Sequence, residues 1–282
     1  MTKLRYIRIL VSATFFIAAI LFLVVDDIEV HLCSYAEKIQ ISPSLLPTSL
    51  GVIIFWILIT IIFGRIYCSS VCSIGTLSDI FIRFRKFIPQ LNNHFSFKTS
   101  KKHKYNILLI YIISLIIGFS FVLGIIEPWS MFTNIISTFD FSPREEHMIL
   151  ISSNIILGFI IGFVSFVVIV VCAVFRGRYY CNEICPIGIF LSLIDTKSFL
   201  HIEIDPDKCI GCMECENECK ASCIKVVSRY VDNSRCVRCF NCVSKCPNGA
   251  IRYQQNRNRV STPMMQRVNN SITKIKNKII KA

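Results

Sequence analysis

Eight cysteines in the last third of the chain carry its sharpest chemical signal. They read Cys209-x2-Cys212-x2-Cys215-x3-Cys219 and Cys236-x2-Cys239-x2-Cys242-x3-Cys246-Pro247. Zinc sites use two separated pairs of thiolates, whereas three sulfurs at x2 spacing wrap three corners of an iron–sulfur cubane and leave the fourth to a distant cysteine. Two runs therefore predict two 4Fe-4S clusters, with zinc or a structural thiol cage as the competing reading. The chemistry expected of such clusters is electron conduction, not acid–base catalysis.

In the bacterial ferredoxin arrangement the last cysteine of each run serves the other cluster. That assigns Cys209, Cys212, Cys215 and Cys246 to cluster 1, and Cys236, Cys239, Cys242 and Cys219 to cluster 2. Pro247 closes the second run where Lys220 stands in the first. Short β-type stretches, His201 to Ile204 and Ala250 to Tyr253, flank the runs and suit a small α+β fold. Cys223, Cys172 and Cys33 fall outside the spacing and read as packed thiols.

A second cysteine pattern is an internal repeat. Gly64-Arg65-Ile66-Tyr67-Cys68-Ser69-Ser70-Val71-Cys72-Ser73-Ile74-Gly75 returns 113 residues later as Gly177-Arg178-Tyr179-Tyr180-Cys181-Asn182-Glu183-Ile184-Cys185-Pro186-Ile187-Gly188, matching at seven of twelve positions. Cysteines four apart share a face if the stretch is helical, or Pro186 starts a fresh helix after a ligand loop. Cys68, Cys72, Cys181 and Cys185 together supply four thiolates, the complement of a third iron–sulfur or shared redox site. Buried thiols without metal remain the alternative, and a disulfide is disfavoured in a reducing compartment. Ser73, where the second copy has proline, leaves the two halves free to differ.

The elements that must position these sulfurs are mostly membrane helices. The chain is 53% hydrophobic and 17% charged, too apolar for an ordinary soluble domain. Four segments, about Tyr6 to Val25, Leu46 to Ile66, Tyr105 to Ile126 and Met148 to Phe175, are long and apolar enough to span a hydrocarbon core, which needs roughly 20 residues in helix. The first lacks a small-residue cleavage site after it and reads as a retained helix rather than a signal. The expected fold class is an α-helical membrane protein, four transmembrane helices as two duplicated hairpins, followed by a cytoplasmic α+β 2[4Fe-4S] ferredoxin domain. Its expected boundaries are 1–199 for the membrane part, 200–253 for the ferredoxin-like domain and 254–282 for a basic tail.

Charge sets the expected orientation. Residues 1–10 carry +3, 26–44 carry −3, 64–104 carry +7, 126–148 carry −3 and 254–282 carry +7. Positive loops stay inside, so both termini and every cysteine motif are expected on the cytoplasmic face of the inner membrane. The basic tail reads as a contact for anionic lipid. Nucleic-acid binding is excluded by the lack of any recognised module.

Other chemistries lack their residues. The five histidines, His31, His94, His103, His147 and His201, lie outside the span centres, there is no C-x-x-C-H site, and no glycine-rich dinucleotide fingerprint occurs. Haem, NADH and FAD are thus not expected, and electrons must pass through partners or a membrane carrier. No ionisable side chain marks a path through the helix centres, against a pump. Glu127, Trp129, Glu145, Glu146 and His147 are expected near the outer lipid boundary, as an ordinary polar interface or as acceptors of protons released by quinol oxidation.

The order of these motifs resembles the NapH-type membrane ferredoxins, polytopic proteins regarded as quinol dehydrogenase components of periplasmic nitrate reduction, with relatives in nitrous oxide reduction. The resemblance rests on the four helices, on the repeated Gly-Arg-x-Tyr-Cys-x3-Cys pairs and on the runs from Cys209 and Cys236. Ser73 and Lys220 depart from the family's prolines. The resemblance implies electron transfer from the quinone pool, through the clusters, to a partner ferredoxin or multihaem cytochrome and a respiratory reductase. An electron-donating assembly factor for a respiratory enzyme is a second expectation, and a redox sensor or membrane scaffold a third.

Overall fold

The computed structural model describes residues 2–24, 50–85, 95, 97, 103–117, 125–139, 155–196 and 198–255. Helix α1 (Thr2–Val24) opens with Lys3, Arg5 and Arg8 and continues as an uninterrupted apolar run. Helix α2 (Leu50–Phe63) is apolar on every side, the pattern of a helix surrounded by other apolar material. It leads into the first copy of the repeat, built from the single turn α3 (Tyr67–Ser70) and helix α4 (Ser73–Arg85). Helices α5 (His103–Ile117) and α6 (Pro128–Phe139) precede the long apolar α7 (Ile155–Arg176). The second copy then follows as a π-helical turn (Tyr180–Ile184) and helix α8 (Pro186–Asp195).

The two copies interlock. Helix α4 of the first packs along α7 of the second, and α8 of the second packs against α2 of the first. Both post-cysteine helices start at equivalent positions, Ser73 and Pro186. Ser73 is therefore no departure in geometry: it opens a helix where proline is favoured at the first helical position, and both residues suit that place.

Among the described residues two helices are long and apolar enough to cross a membrane, Lys3–Leu23 and Gly158–Arg176, with mean hydropathies of 2.2 and 2.9. Only 22% of each such window is buried, whereas the core helix of a soluble protein would be enclosed. Leu10, Ile17, Phe159, Val164 and Val171 point outward instead. The buried side of α1 is tied to the repeat, with Ser12 Oγ 2.8 Å from Thr76 Oγ1. Helices α2 and α5 are apolar but shorter in their described lengths.

Of the segment expected at Tyr105 to Ile126, α5 and the last two residues lie among the described ones. Helix α5 ends at Ile117, and Ile126 lies beside the cysteine pairs, its carbonyl accepting from the Tyr180 hydroxyl at 2.7 Å. Pro128 follows this stretch, and the residue before a proline avoids helical geometry. Glu127 and Trp129 accordingly sit among the thiols' surroundings rather than at an outer boundary, with Trp129 buried in the same core as the repeat cysteines. Cys33, His31, His94, Glu145, Glu146, His147 and the tail beyond Gln255 lie outside the described residues.

In the carboxy-terminal module β1 (Leu200–Ile204) pairs antiparallel with β4 (Ile251–Gln255), Leu200 opposite Gln255 and Ile204 opposite Ile251. The small hairpin β2 (Ile224–Lys225) and β3 (Tyr230–Val231) lies between the cysteine runs in sequence. One-turn helices α9 (Glu214–Asn217) and α10 (Asn241–Lys245) carry Cys215 and Cys242. Ile202, Ile224, Phe240, Val243 and Ile251 form the core with the cysteines.

The module is docked onto the helical unit by specific polar contacts. The Tyr253 hydroxyl donates to the Phe63 carbonyl at 2.7 Å, and the Phe199 amide to the Ile61 carbonyl at 2.7 Å. The fully buried Arg238 meets the fully buried Asp195 of α8 at 2.7 Å. Both repeats open on a glycine in the left-handed region, Gly64 at φ +79 and Gly177 at φ +64, where a Cβ is disfavoured. A Cβ there would also strike the module, at the Arg238 guanidinium and the Lys220 backbone respectively.

Candidate iron–sulfur sites

The repeat brings Cys68, Cys72, Cys181 and Cys185 together in one core, each 4–6% exposed, with Tyr67, Tyr180, Trp56 and Trp129 around them. Two arginines bind the halves reciprocally. Arg65 Nη2 lies 3.9 Å from Cys68 Sγ of its own half and donates to the Cys181 carbonyl of the other at 3.0 Å. Arg178 Nη1 lies 3.8 Å from Cys181 Sγ and donates to the Cys68 carbonyl at 2.7 Å. The second cysteine of a pair caps the next helix: the Gly188 amide donates to Cys185 Sγ at 3.4 Å. Amides and positive helix ends favour sulfur in its thiolate form.

Burial opposes that charge. It pushes Cys72 up to about 12, helped by the neighbouring Cys181 and Cys68, and lifts Cys185 well above the ordinary thiol range for the same reasons. Four thiolates in so dry a place need a compensating positive charge beyond the two arginines. Iron bound by the sulfurs is a charge of that kind, since a coordinated thiol is held deprotonated.

The eight cysteines of the module divide crosswise. Cys209, Cys212, Cys215 and Cys246 line one pocket with Ile210, Met213 and Pro247. Cys219, Cys236, Cys239 and Cys242 line a second with Val237 and Phe240. The backbone is turned to serve them. Gly211 and Arg238, Met213 and Phe240, and Ser222 and Gly249 are equivalent pairs between the two runs, and all six have positive φ. The Ala250 amide thereby donates to Cys246 Sγ at 3.2 Å, and the equivalent Cys223 amide approaches Cys219 Sγ at 3.5 Å.

Cys223 is packed in the module core, as expected, and also lines this second pocket, with its Sγ 3.4 Å from Cys219 Sγ. Its thiol donates to Cys236, which together with Arg238 brings Cys236 down to about 6 against the effect of burial. Cys223 stands where the second run has Ala250. Cys172 is half-buried on α7 at the edge of the repeat core.

Asp79 is the residue that spacing did not reveal. Its carboxylate receives Arg8 at 2.9 Å, Arg178 at 2.7 Å and Lys220 at 3.1 Å. Burial alone would raise it, but Arg178, Lys220 and Arg8 hold it well below the usual carboxylate range. Arg178 reaches Cys181, and Lys220 follows Cys219 in the chain, so this one carboxylate joins the repeat thiols to the second pocket. A lone acid in a strongly basic loop was its sequence signature.

The donor chemistry fits iron–sulfur clusters at all three places: four sulfurs around each centre, apolar walls and amides aimed at sulfur. Among the described residues no three His, Cys, Asp or Glu close tightly enough to grip a single metal ion.

Comparison with known proteins agrees. A family model described as a 4Fe-4S binding domain matches twice, at residues 45–92 and 159–198, each match containing one copy of the repeat. Two further 4Fe-4S binding domain models match residues 201–224 and 229–252. The chain is 23% identical over 219 residues to MJ0749 of Methanocaldococcus jannaschii, covering 78% of this chain and 75% of that protein. It is 26% identical over 174 residues to MJ0750 of the same organism, covering 58% and 61%. Both relatives are uncharacterized. No solved structure matches the chain. These findings support an iron–sulfur electron-transfer protein with 4Fe-4S ferredoxin-type binding domains.

Proposed function

We propose that this chain is a multi-pass inner-membrane electron carrier that takes electrons from the quinol pool and delivers them to a redox partner on the cytoplasmic face. Cys68, Cys72, Cys181 and Cys185 hold the cluster nearest the lipid. Cys219, Cys236, Cys239 and Cys242 hold the middle one, and Cys209, Cys212, Cys215 and Cys246 the outermost. Each cluster supplies one-electron transfer. Four crossings with both termini inside follow from the loop charges.

The observation that carries this reading is the connection between the centres. Asp79, Arg178 and Lys220 bridge the repeat thiols and the middle pocket, while the crosswise cysteine runs join the middle and outer pockets in one core. At the far end Cys212 is exposed, flanked by Ile210 and Met213 at 67% and 42% exposure. An apolar rim beside an exposed ligand is the kind of surface on which a ferredoxin or cytochrome of a respiratory reductase system docks transiently.

The test is anaerobic reduction of the full-length protein by a menaquinol analogue, followed by visible bleaching and EPR. Bleaching of the iron–sulfur absorption supports the reading. Protein that dithionite bleaches but the quinol analogue does not would refute the quinol pool as donor. The same exposed edge favours a second reading, electron delivery to a metalloenzyme under assembly. Reoxidation that depends on added metal ion, with no response to respiratory partners, would select it.

A further inference from the structure

A cavity of about 430 Å³ opens between α1 and α4, within the roughly 300–1,000 Å³ of small-molecule sites. Its chemistry changes from one end to the other. The walls are Phe16, Ile17 and Phe84; Ile17 and Phe84 are 56% and 59% exposed and continue the apolar belt of α1. The floor is polar: the Ser12–Thr76 hydroxyl pair, 2.8 Å apart, and the Asp79 carboxylate with its Arg8 and Lys220 partners. Arg83 is exposed at the lining and completes the donors.

We infer that this cavity binds the headgroup of a membrane-soluble quinone, with the tail leaving past Ile17 and Phe84 into lipid. The inference rests on the electron-transfer reading above and gives it an entry site. Hydroxyls and a guanidinium are donors for ring oxygens, aromatic and branched walls suit a flat apolar ring, and the opening faces the phase in which such a carrier dissolves. Location adds a second argument. The floor residue Asp79 is the bridge between Arg178, beside Cys181, and Lys220, beside Cys219. A headgroup on this floor therefore lies next to both inner thiol centres. An anionic phospholipid, drawn by Arg8, Lys220 and Arg83, is the rival occupant, and the experiment separates the two.

The experiment uses full-length protein purified anaerobically, placed in phosphatidylcholine vesicles and labelled with a photoreactive azido-naphthoquinone. Ile17→Trp narrows the opening and Arg83→Gln removes a donor; both side chains are exposed, and unchanged iron per chain verifies that each variant folds. The expected result is label on α1 or α4 peptides, reduced about tenfold or more in Arg83→Gln, the scale of losing one charged hydrogen bond, and reduced also in Ile17→Trp, whose indole blocks the opening. Label that maps elsewhere and ignores both variants overturns the cavity assignment and leaves the quinol reading standing. No label at all, with anionic phospholipid co-purifying with the native protein and lost from both variants, overturns both.

Discussion

Replacing Gly188 with alanine sets local propensity against the reciprocal packing of the two repeats. Gly188 is the third residue of α8, and alanine in a helix is favoured over glycine by about 1 kcal/mol. Against that gain, a Cβ at this place would lie under 3.0 Å from the Cys181 carbonyl oxygen and 3.1 Å from Arg65 Nη2. The carbonyl is backbone and cannot swing aside. Relieving such overpacking costs about 1–3 kcal/mol. The same carbonyl accepts from Arg65 Nη2 at 3.0 Å, and losing a hydrogen bond to a charged group costs about 1.5–3 kcal/mol. The net expectation is a loss of about 1.5–5 kcal/mol, with the loop that carries Cys181 displaced. Thermal unfolding of anaerobic protein in detergent, with iron counted per chain, reads both effects. Gly188→Ala should unfold earlier and lose about four iron atoms, one cluster's worth. Gly51→Ala on α2 is the control, because nothing lies within 4 Å of its Cβ, and it should be neutral or slightly stabilising. A Gly188→Ala protein as stable and as iron-rich as the native one would refute the argument.

Three further outcomes follow from the same geometry. Asp79→Asn leaves Arg8, Arg178 and Lys220 without their shared carboxylate and should cost about 3–5 kcal/mol in denaturant unfolding; because the native carboxyl titrates below the usual range, the wild-type contribution should stay constant from pH 5 to 8 and fade only in stronger acid. Cys223→Ser should keep its iron, Cys219→Ser should lose less than Cys242→Ser because Cys223 stands 3.4 Å away as a substitute sulfur, and the double Cys219/Cys223 variant should lose the middle cluster in iron analysis. Burial, aided by Arg238, lowers His201 from its ordinary 6.5, so the unfolded chain binds the proton first and stability should fall as pH drops below 6.5; His201→Gln should flatten that slope in unfolding curves compared at pH 7.5 and pH 5.5.

The cysteine spacing made the carboxy-terminal site legible because ligand positions are local: x2 and x3 gaps constrain a few residues of backbone, and the flanking strands close the module. The repeat was equally readable, but not the way its halves exchange helices, which depends on contacts between residues more than a hundred positions apart. Hydropathy located α1 and α7 well. At Tyr105 to Ile126 it marked the apolar run whose described part is α5, but composition could not place Ile126 beside Tyr180. Asp79 escaped because a buried ion cluster draws on Arg8, Arg178 and Lys220 from three separate parts of the chain. Cys223 was legible as a packed thiol, but its closeness to Cys219 was not, because that depends on the turn that ends the first run.

The claim on which the account stands is that three groups of four cysteines each hold a four-iron cluster. Iron and acid-labile sulfide, counted per chain by Mössbauer and chemical analysis on anaerobically isolated protein, test it most directly. The account predicts about twelve of each in the native protein, falling to about eight after the combined Cys68→Ser and Cys181→Ser substitutions. Colourless protein, stoichiometric zinc, or an iron count that the double substitution leaves unchanged would contradict it.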